Sequence, residues 1–340
     1  MTRRALLRAG VLAAGLGALF LLARRIDWRA SLALLAGVRL PWLGAAFAVG
    51  LFLRVFRGSL WRFYLGAAGH RTGRGTSLVV LLAGDFLGTF FVGTLGSFAR
   101  PLLLRLVDER APLDSGTESV IIEQYLTLVS HALVLFFGGA LLLMRPGITA
   151  GVLAPAFAAG LVYVTALLAA SAVIFGWHAR GALPQRLERL LPAPVRRRLA
   201  GLAEFLLRFR ERLALRLSTR AVLLPGLGAQ LALNTVLVGT HSFCLLQALG
   251  VAFPFPLLLV VPTMFLTLAN VPVSPGGVGI VEGYGLLLLT HLGLPGESAL
   301  PYLLLERGVA TLATLVLGGL AIGGLGLRRT VAVASVGPGR

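Results

Sequence analysis

Several charged side chains of this sequence lie within strongly apolar stretches, where a charge needs either a partner or water. They are Glu123, Glu282, Glu306 and Arg307. A charged group at the centre of a membrane helix costs about 2.5 to 3.5 kcal/mol even on a mild insertion scale. One interpretation of Glu282 is structural, because the helix dipole favours an acid in the first turn of a helix. The other places Glu282 in a hydrophilic cavity opposite Arg307, whose planar guanidinium suits a phosphate.

A run rich in proline and glycine precedes Glu282 and lies between two apolar runs that are each short for a full crossing. It reads Asn-Val-Pro-Val-Ser-Pro-Gly-Gly-Val-Gly over residues 270–279. Prolines and glycines at this density cannot continue one helix. We predict a break at membrane depth between two half-helices, with an ordinary loop as the alternative. The candidate binding residues here are Asn270 and Ser274, and the residues predicted to form the break are Pro272, Pro275, Gly276, Gly277 and Gly279.

Polar side chains also recur at helical spacing in three apolar stretches, so that each set lies on one face of its helix. We expect these stripes to face the interior of a helix bundle or a cavity. Hydrogen bonding between neighbouring membrane helices is the alternative. The stripes are Glu123, Thr127, Ser130 and His131, then Gln230, Asn234 and His241, and finally Arg307, Thr311 and Thr314.

Motifs of familiar enzymes are missing from the sequence. It has no His-Glu-x-x-His pair for zinc, no Gly-x-Ser-x-Gly elbow and no lysine for a Walker phosphate loop. The five histidines are scattered without the spacing of metal ligands. We therefore predict no metal, no cofactor and no recognisable catalytic residue.

The composition determines what kind of scaffold must hold these residues. Of 340 residues, 57% are hydrophobic and only 13% are charged, which excludes an ordinary soluble enzyme. Allowing about 20 apolar residues for each crossing, we predict an all-α polytopic membrane protein with about eight transmembrane helices. Residues 1–340 then form a single membrane domain. The apolar stretches lie at about 5–23, 41–63, 77–98, 118–144, 150–176, 221–249, 256–273, 277–292 and 300–327.

The positive charge is concentrated in one internal segment. The net charge is +18, and all 31 basic residues are arginine. Between residues 177 and 220, eleven arginines stand against three glutamates. The positive-inside rule therefore makes 178–220 a cytoplasmic basic segment, amphipathic on the spacing of its apolar residues, or else a solvated linker. Arg328 and Arg329 likewise predict a cytoplasmic C-terminus. Retention of loops and attraction to anionic lipid explain the charge without nucleic acid.

The stretch 77–98 is too rich in glycine for a good continuous helix, and it also contains Asp85. We predict that it enters and leaves the membrane on one side as a re-entrant hairpin. Together with the break at 270–279, this gives one or two such hairpins. An internal repeat is a further prediction, because Glu123 follows Gly96 by 27 residues and Glu306 follows Gly279 by 27 residues.

These residues resemble the lysylphosphatidylglycerol synthase transmembrane region family, also called flippase-like integral membrane proteins, over about residues 5 to 328. The resemblance is carried by the Pro-Gly-Gly-x-Gly-x-x-Glu element that ends at Glu282, followed by Glu306-Arg307 in the next span. An earlier element with Gly96 and Arg100 is similar, although Val92 stands where that family has proline. The sequence also has Glu123-Gln124 where the family usually shows Glu-Arg.

The resemblance implies a lipid-translocating fold in a bacterial-type cytoplasmic membrane. The predicted function is movement of a phosphate-bearing lipid headgroup, carried by anionic or phosphate-bearing membrane lipids, through a polar cavity. The residues expected to line that cavity are Glu282, Arg307, Glu123, Arg100 and Glu306. Two alternatives remain at this point: an enzyme or enzyme subunit acting on a polyprenyl-phosphate or phospholipid carrier, and a structural membrane partner. Membrane lipids are the expected partners, and a homo-oligomer or a membrane-protein partner is left open.

Overall fold

The computed structural model describes residues 28–90, 93–145, 147–176, 207–270 and 279–335, and these residues are helical with no strand among them. The predicted span at 5–23, most of the segment 178–220 and the residues 271–278 of the predicted break lie outside the described residues. The all-α prediction is confirmed for the described part of the chain.

Five helices are long and apolar enough to cross a membrane, each 26 to 31 residues long. At about 1.5 Å per residue, each exceeds the ~30 Å hydrocarbon core of a bilayer. Among the described residues there are five such helices, and the other described apolar stretches form shorter helices. The prediction of about eight spans refers to the whole chain, which includes the stretch 5–23. The five are α2 (Leu40–Ala67), α5 (Leu113–Leu143), α6 (Ala150–Phe175), α8 (Arg220–Ala248) and α12 (Gly296–Ser335, apolar to Leu325).

The shorter helices are α1 (Trp28–Ala36), α3 (Arg74–Phe90), α4 (Gly93–Val107), α7 (207–218), α9 (Phe255–Leu258), α10 (Val261–Asn270) and α11 (Ile280–His291). Three of the long helices contain a π-helical turn, in Val134–Gly138, Ala172–Gly176 and Leu233–Leu237.

Helices α3 and α4 form the first hairpin. It contains the stretch 77–98, for which the sequence predicted a re-entrant hairpin. The two helices pack closely because glycines face each other: a Cβ added at Gly96 would lie 2.6 Å from the Cα of Gly88. The loop before α3 and the loop after α4 meet, since His70 Nε2 lies 3.3 Å from Asp108 Oδ2. Both ends of the first hairpin therefore lie at the same end of the bundle.

Helices α10 and α11 lie on either side of residues 271–278 and pack against each other, and they are called the second hairpin below. Gly279, directly before α11, has a φ of +83°, a conformation that strains residues with a Cβ. The segment before α2 contacts both flanks of this pair: Arg39 N donates to Ala248 O at 2.8 Å, and Ser31 Oγ donates to Glu297 O at 3.2 Å. Both flanks of the second hairpin thus lie at the N-terminal end of α2, opposite to those of the first.

Helix α7 belongs to the predicted basic segment 178–220 and packs on protein in the described part. Leu213 and Leu217 are buried in an apolar cluster with Ile122 and Leu126. Arg212 on the same helix pairs with Asp114 at 3.0 Å and with Glu118 at 2.6 Å. This helix therefore covers the end of the bundle where the first hairpin begins and ends.

Candidate functional site

A cavity of about 740 Å³ lies between the long helices and is lined by both charged and apolar side chains. Its charged lining residues come from α2, α3, α5 and α12: Arg54, Arg57, Asp85, Glu123 and Glu306. Charges inside a membrane bundle are costly, so they are expected to face one another or a wet cavity. Five charges around one cavity satisfy that expectation and make this the candidate site.

A continuous chain of ion pairs runs along one side of the cavity. Arg57 makes a two-pronged contact with Asp85, with Nη1–Oδ2 at 2.7 Å and Nη2–Oδ1 at 3.2 Å. Arg100 reaches Asp85 at 3.5 Å and Glu123 at 2.6 Å. Four charges of alternating sign, supplied by four different helices, thus compensate one another.

Arg100 is the centre of this chain and is completely buried, with 0% exposure. Glycine makes room for it, because a Cβ at Gly84 would lie 2.8 Å from Arg100 Cγ. Its guanidinium also donates to Ser97 Oγ at 3.2 Å and lies 5.9 Å from the centre of the Trp61 ring. Such a charge is tolerated because carboxylates, a hydroxyl and an aromatic face surround it.

Arg54 lines the cavity in a different way, through neutral acceptors. Its guanidinium donates to Gly50 O at 3.0 Å, and to Ala310 O and Thr314 Oγ1, both at 3.1 Å. Gly50 separates it from a histidine: a Cβ added at Gly50 would lie 3.7 Å from Arg54 Nη1 and 3.5 Å from His241 Nε2. The guanidinium therefore bridges α2 and α12 beside an imidazole.

Two of the three polar stripes predicted from the sequence face this cavity. Asn234 Nδ2 donates to Ser130 Oγ at 3.0 Å, and Thr263 Oγ1 donates to Asn234 O, so the stripes also join helices. The third stripe is divided, since Thr314 lines the cavity whereas Thr311 is exposed. The uncharged polar lining residues are Ser97, Gln124, Thr127, His131, Gln230, Asn234, His241 and Thr314.

Glu282 and Arg307 form an ion pair, with Arg307 Nε 2.7 Å from Glu282 Oε1. The second carboxylate oxygen of Glu282 accepts the backbone N–H of Gly279 at 2.7 Å and so caps α11. The two interpretations of Glu282 were helix stabilisation and a place opposite Arg307, and the carboxylate serves in both contacts. Neither Glu282 nor Arg307 is among the described residues that line the cavity.

Glu306 does line the cavity, although it neighbours Arg307 in the sequence. Within the described part of the chain it makes no ion pair. The side chains of Tyr302 and Ser242 lie near its carboxylate. Adjacent residues of α12 therefore point in different directions, one into the cavity and one toward the second hairpin.

The remaining predicted residues are only partly covered by the described chain. Asn270 ends α10, and Gly279 precedes α11. The other five, namely Pro272, Ser274, Pro275, Gly276 and Gly277, lie outside the described residues. Their predicted roles stay predictions.

Arg54 and Arg57 are site residues that the sequence reading missed, and Asp85 was noticed only as a residue unfavourable to a helix. Arginine is so abundant in this chain that those near helix ends were attributed to topology. A usable signal was present, because Arg54 and Arg57 interrupt the middle of an apolar stretch at a spacing of three residues. In the described residues, no group of three His, Cys, Asp or Glu side chains is placed to hold a metal ion.

Similarity to known proteins supports the resemblance drawn from the motifs. No curated protein matches the chain. The family model described as Lysylphosphatidylglycerol synthase TM region matches residues 7–318, which is most of the sequence. This multi-pass membrane protein belongs to the lysylphosphatidylglycerol synthase transmembrane region family.

Proposed function

We propose that this protein translocates phospholipids, moving a phosphate-bearing headgroup through the cavity between its long helices. The observation that carries the proposal is the charged lining of that cavity within a bundle of apolar helices. A headgroup crossing a bilayer must exchange its water for other polar partners, because the hydrocarbon core offers none. Arginine donors and carboxylates arranged around one space supply such partners.

We further propose an orientation for the bundle, based on the arginines. The segment 178–220, together with the loops 68–73 and 108–112, would face the cytoplasm. The segment 178–220 is rich in arginine, and α7 within it contacts the start of α5, next to these loops. The first hairpin then enters from the cytoplasmic side and the second from the outer side. This arrangement supports two re-entrant hairpins of opposite direction, as inverted repeats of transporters provide.

The cavity would act as a polar path rather than as a catalytic centre. The ion-pair chain from Arg57 to Glu123 keeps its side chains fixed and charged where the surroundings are apolar. Preformed polar groups reduce the cost of desolvating a headgroup, because they need little reorganisation when it enters. The pair formed by Glu282 and Arg307 would support the second hairpin beside this path.

Reconstitution into liposomes tests the proposal directly. The purified protein is incorporated into vesicles containing fluorescent phospholipids, and a membrane-impermeant quencher reports the fraction that reaches the outer leaflet. We expect faster exchange than in protein-free vesicles, and at least a tenfold loss of rate in Glu123→Gln, which breaks the ion-pair chain at the cavity. Arg145→Gln, an exposed arginine outside the cavity, is the control and should retain the rate.

A vesicle result in which wild-type protein and protein-free liposomes exchange lipid equally would contradict translocation. A Glu123→Gln variant that remains folded and fully active would instead contradict a role of the charged lining in transport.

Orientation is tested separately by cysteine labelling in a Cys244→Ser background. Glu297→Cys, at the proposed outer end, should react with an impermeant maleimide in intact cells. Arg71→Cys should react only after permeabilisation. Labelling of position 71 from outside would reverse the proposed orientation.

A further inference from the structure

Two charged groups in the cavity have opposite signs and, among the described residues, no ion-pair partner. Within the described chain, Arg54 donates to two backbone carbonyls and the hydroxyl of Thr314 and to no carboxylate. Glu306 makes no ion pair with any described residue. Both line the same cavity, in which Arg57, Asp85 and Glu123 are already paired.

Both groups border the cavity beside the same stretch of α12. Arg54 Nη2 donates to Ala310 O, and Ala310 lies about one helical turn beyond Glu306. Both side chains therefore line the cavity near the same helix, where one ligand can contact each of them with a different charged group.

Charge balance favours a ligand without net charge. The guanidinium groups of Arg54, Arg57 and Arg100 match the carboxylates of the ion-pair chain and Glu306 in number. Adding a net charge to a balanced site of low polarity leaves that charge uncompensated. A zwitterion preserves the balance while giving each unpaired group an opposite charge.

We propose that Arg54 and Glu306 form a two-point site for a zwitterionic phospholipid headgroup, with Arg54 holding the phosphate and Glu306 the ammonium group. His241 lies beside Arg54 and would add a ring nitrogen to the phosphate side. The hydroxyl groups of Ser242 and Tyr302 lie on the side of Glu306. This inference rests on the proposed function and refines it, because an anionic headgroup would use only half of the site.

Binding of short-chain lipids to the purified full-length protein in detergent tests the two points independently. The probes are dihexanoyl-phosphatidylethanolamine, which carries an ammonium group, and dihexanoyl-phosphatidylglycerol, which does not. We expect wild-type protein to bind the ethanolamine lipid about tenfold more tightly, the value of one charge-assisted contact. Glu306→Gln should abolish that preference, whereas Arg54→Gln should weaken binding of both lipids about tenfold or more.

Matched controls come from exposed residues of the same types. Arg145→Gln and Glu297→Gln remove the same charges outside the cavity and should leave both affinities unchanged. Melting temperatures identify variants that fail to fold. If Arg54→Gln is one of them, Arg54→Lys replaces it. Loss of the planar guanidinium should still weaken the binding of both lipids.

Equal affinity of the wild-type protein for both lipids would overturn the zwitterion site, as would an ethanolamine preference that survives in Glu306→Gln. Neither result bears on translocation, which the vesicle assay measures with any labelled phospholipid. Conversely, a preference that depends on Glu306 in a protein that moves no lipid would support the site and refute the proposed function.

Discussion

The two hairpins use their charges differently. In the first, Arg100 on the hairpin pairs with Glu123 on the following span and is completely buried. In the second, the carboxylate is on the hairpin and the arginine on the span, and the Arg307 side chain remains 31% exposed. The hairpin therefore supplies the arginine in the first pair and the carboxylate in the second.

The surroundings of the two pairs explain what each can do. Arg100 also reaches Asp85, and Asp85 binds Arg57, so Arg100 connects three charges of the cavity wall, although it is not itself among the lining residues. Glu282 instead uses its second oxygen to cap α11. The two hairpins therefore differ in their electrostatics, because one connects its charge to a network of ion pairs and the other connects it to a helix end.

The largest difference should appear when one arginine of each pair is removed. Arg100→Met leaves Glu123 and part of Asp85 uncompensated in a buried place, and should destabilise the protein by about 3–5 kcal/mol. Arg307→Met should cost less, about 1–2 kcal/mol, because Arg307 is itself 31% exposed and Glu282 keeps the hydrogen bond from Gly279 N–H. Thermal or denaturant unfolding in detergent measures both. Equal losses would show that the two pairs are energetically alike.

A double replacement asks whether the second pair has a role beyond stability. Glu282→Met combined with Arg307→Met leaves no unpaired charge and should recover most of the stability that the single variants lose. If the pair also handles the headgroup, this folded double variant should move lipid at least tenfold more slowly in vesicles. A double variant that is stable and fully active would assign the pair to structure alone.

Glycine has a different task in each hairpin, and alanine substitutions separate the two. Gly96→Ala should cost about 1–3 kcal/mol, because its Cβ would collide with the backbone of α3. Gly279→Ala should cost about 1–2 kcal/mol, since its φ of +83° is left-handed. Gly323 has open space around it, so Gly323→Ala is the control and should be neutral. Melting temperatures rank the three, and a neutral Gly96→Ala would contradict the close packing.

The smallest effects are expected at the contacts that anchor the hairpin ends. Arg212→Gln removes two ion pairs near the base of the first hairpin and should cost about 1–2 kcal/mol, because the arginine is 42% exposed although the Glu118 side chain is only 2% exposed. Ser31→Ala removes one hydrogen bond near the second and should cost about 0.5–1 kcal/mol. Chemical unfolding at two salt concentrations checks the difference, since only the ion pairs should weaken with salt. Salt dependence at Ser31 would be inconsistent with a neutral hydrogen bond.

The sequence alone was sufficient for the membrane class, the apolar helices and the family motif. It also predicted correctly that 77–98 would not form one helix, because its glycines are visible and their effect on helices is local. It predicted about eight transmembrane helices for the whole chain, and the described residues contain five long apolar ones. Hydropathy alone does not distinguish a full span from half of a hairpin. The same spacing of 27 residues indicated Glu123 and Glu306, and both line the cavity.

Tertiary structure alone decided which charges meet. Glu123 pairs with Arg100, Glu282 with Arg307, and Glu306 with no other described residue, although Glu306 and Arg307 are neighbours in the chain. Successive residues of a helix point about 100° apart, so their surroundings depend on which helices pack on each side. Helical periodicity can therefore assign a face to a residue, but only the packed bundle determines whether that face meets a carboxylate, a backbone carbonyl or a cavity.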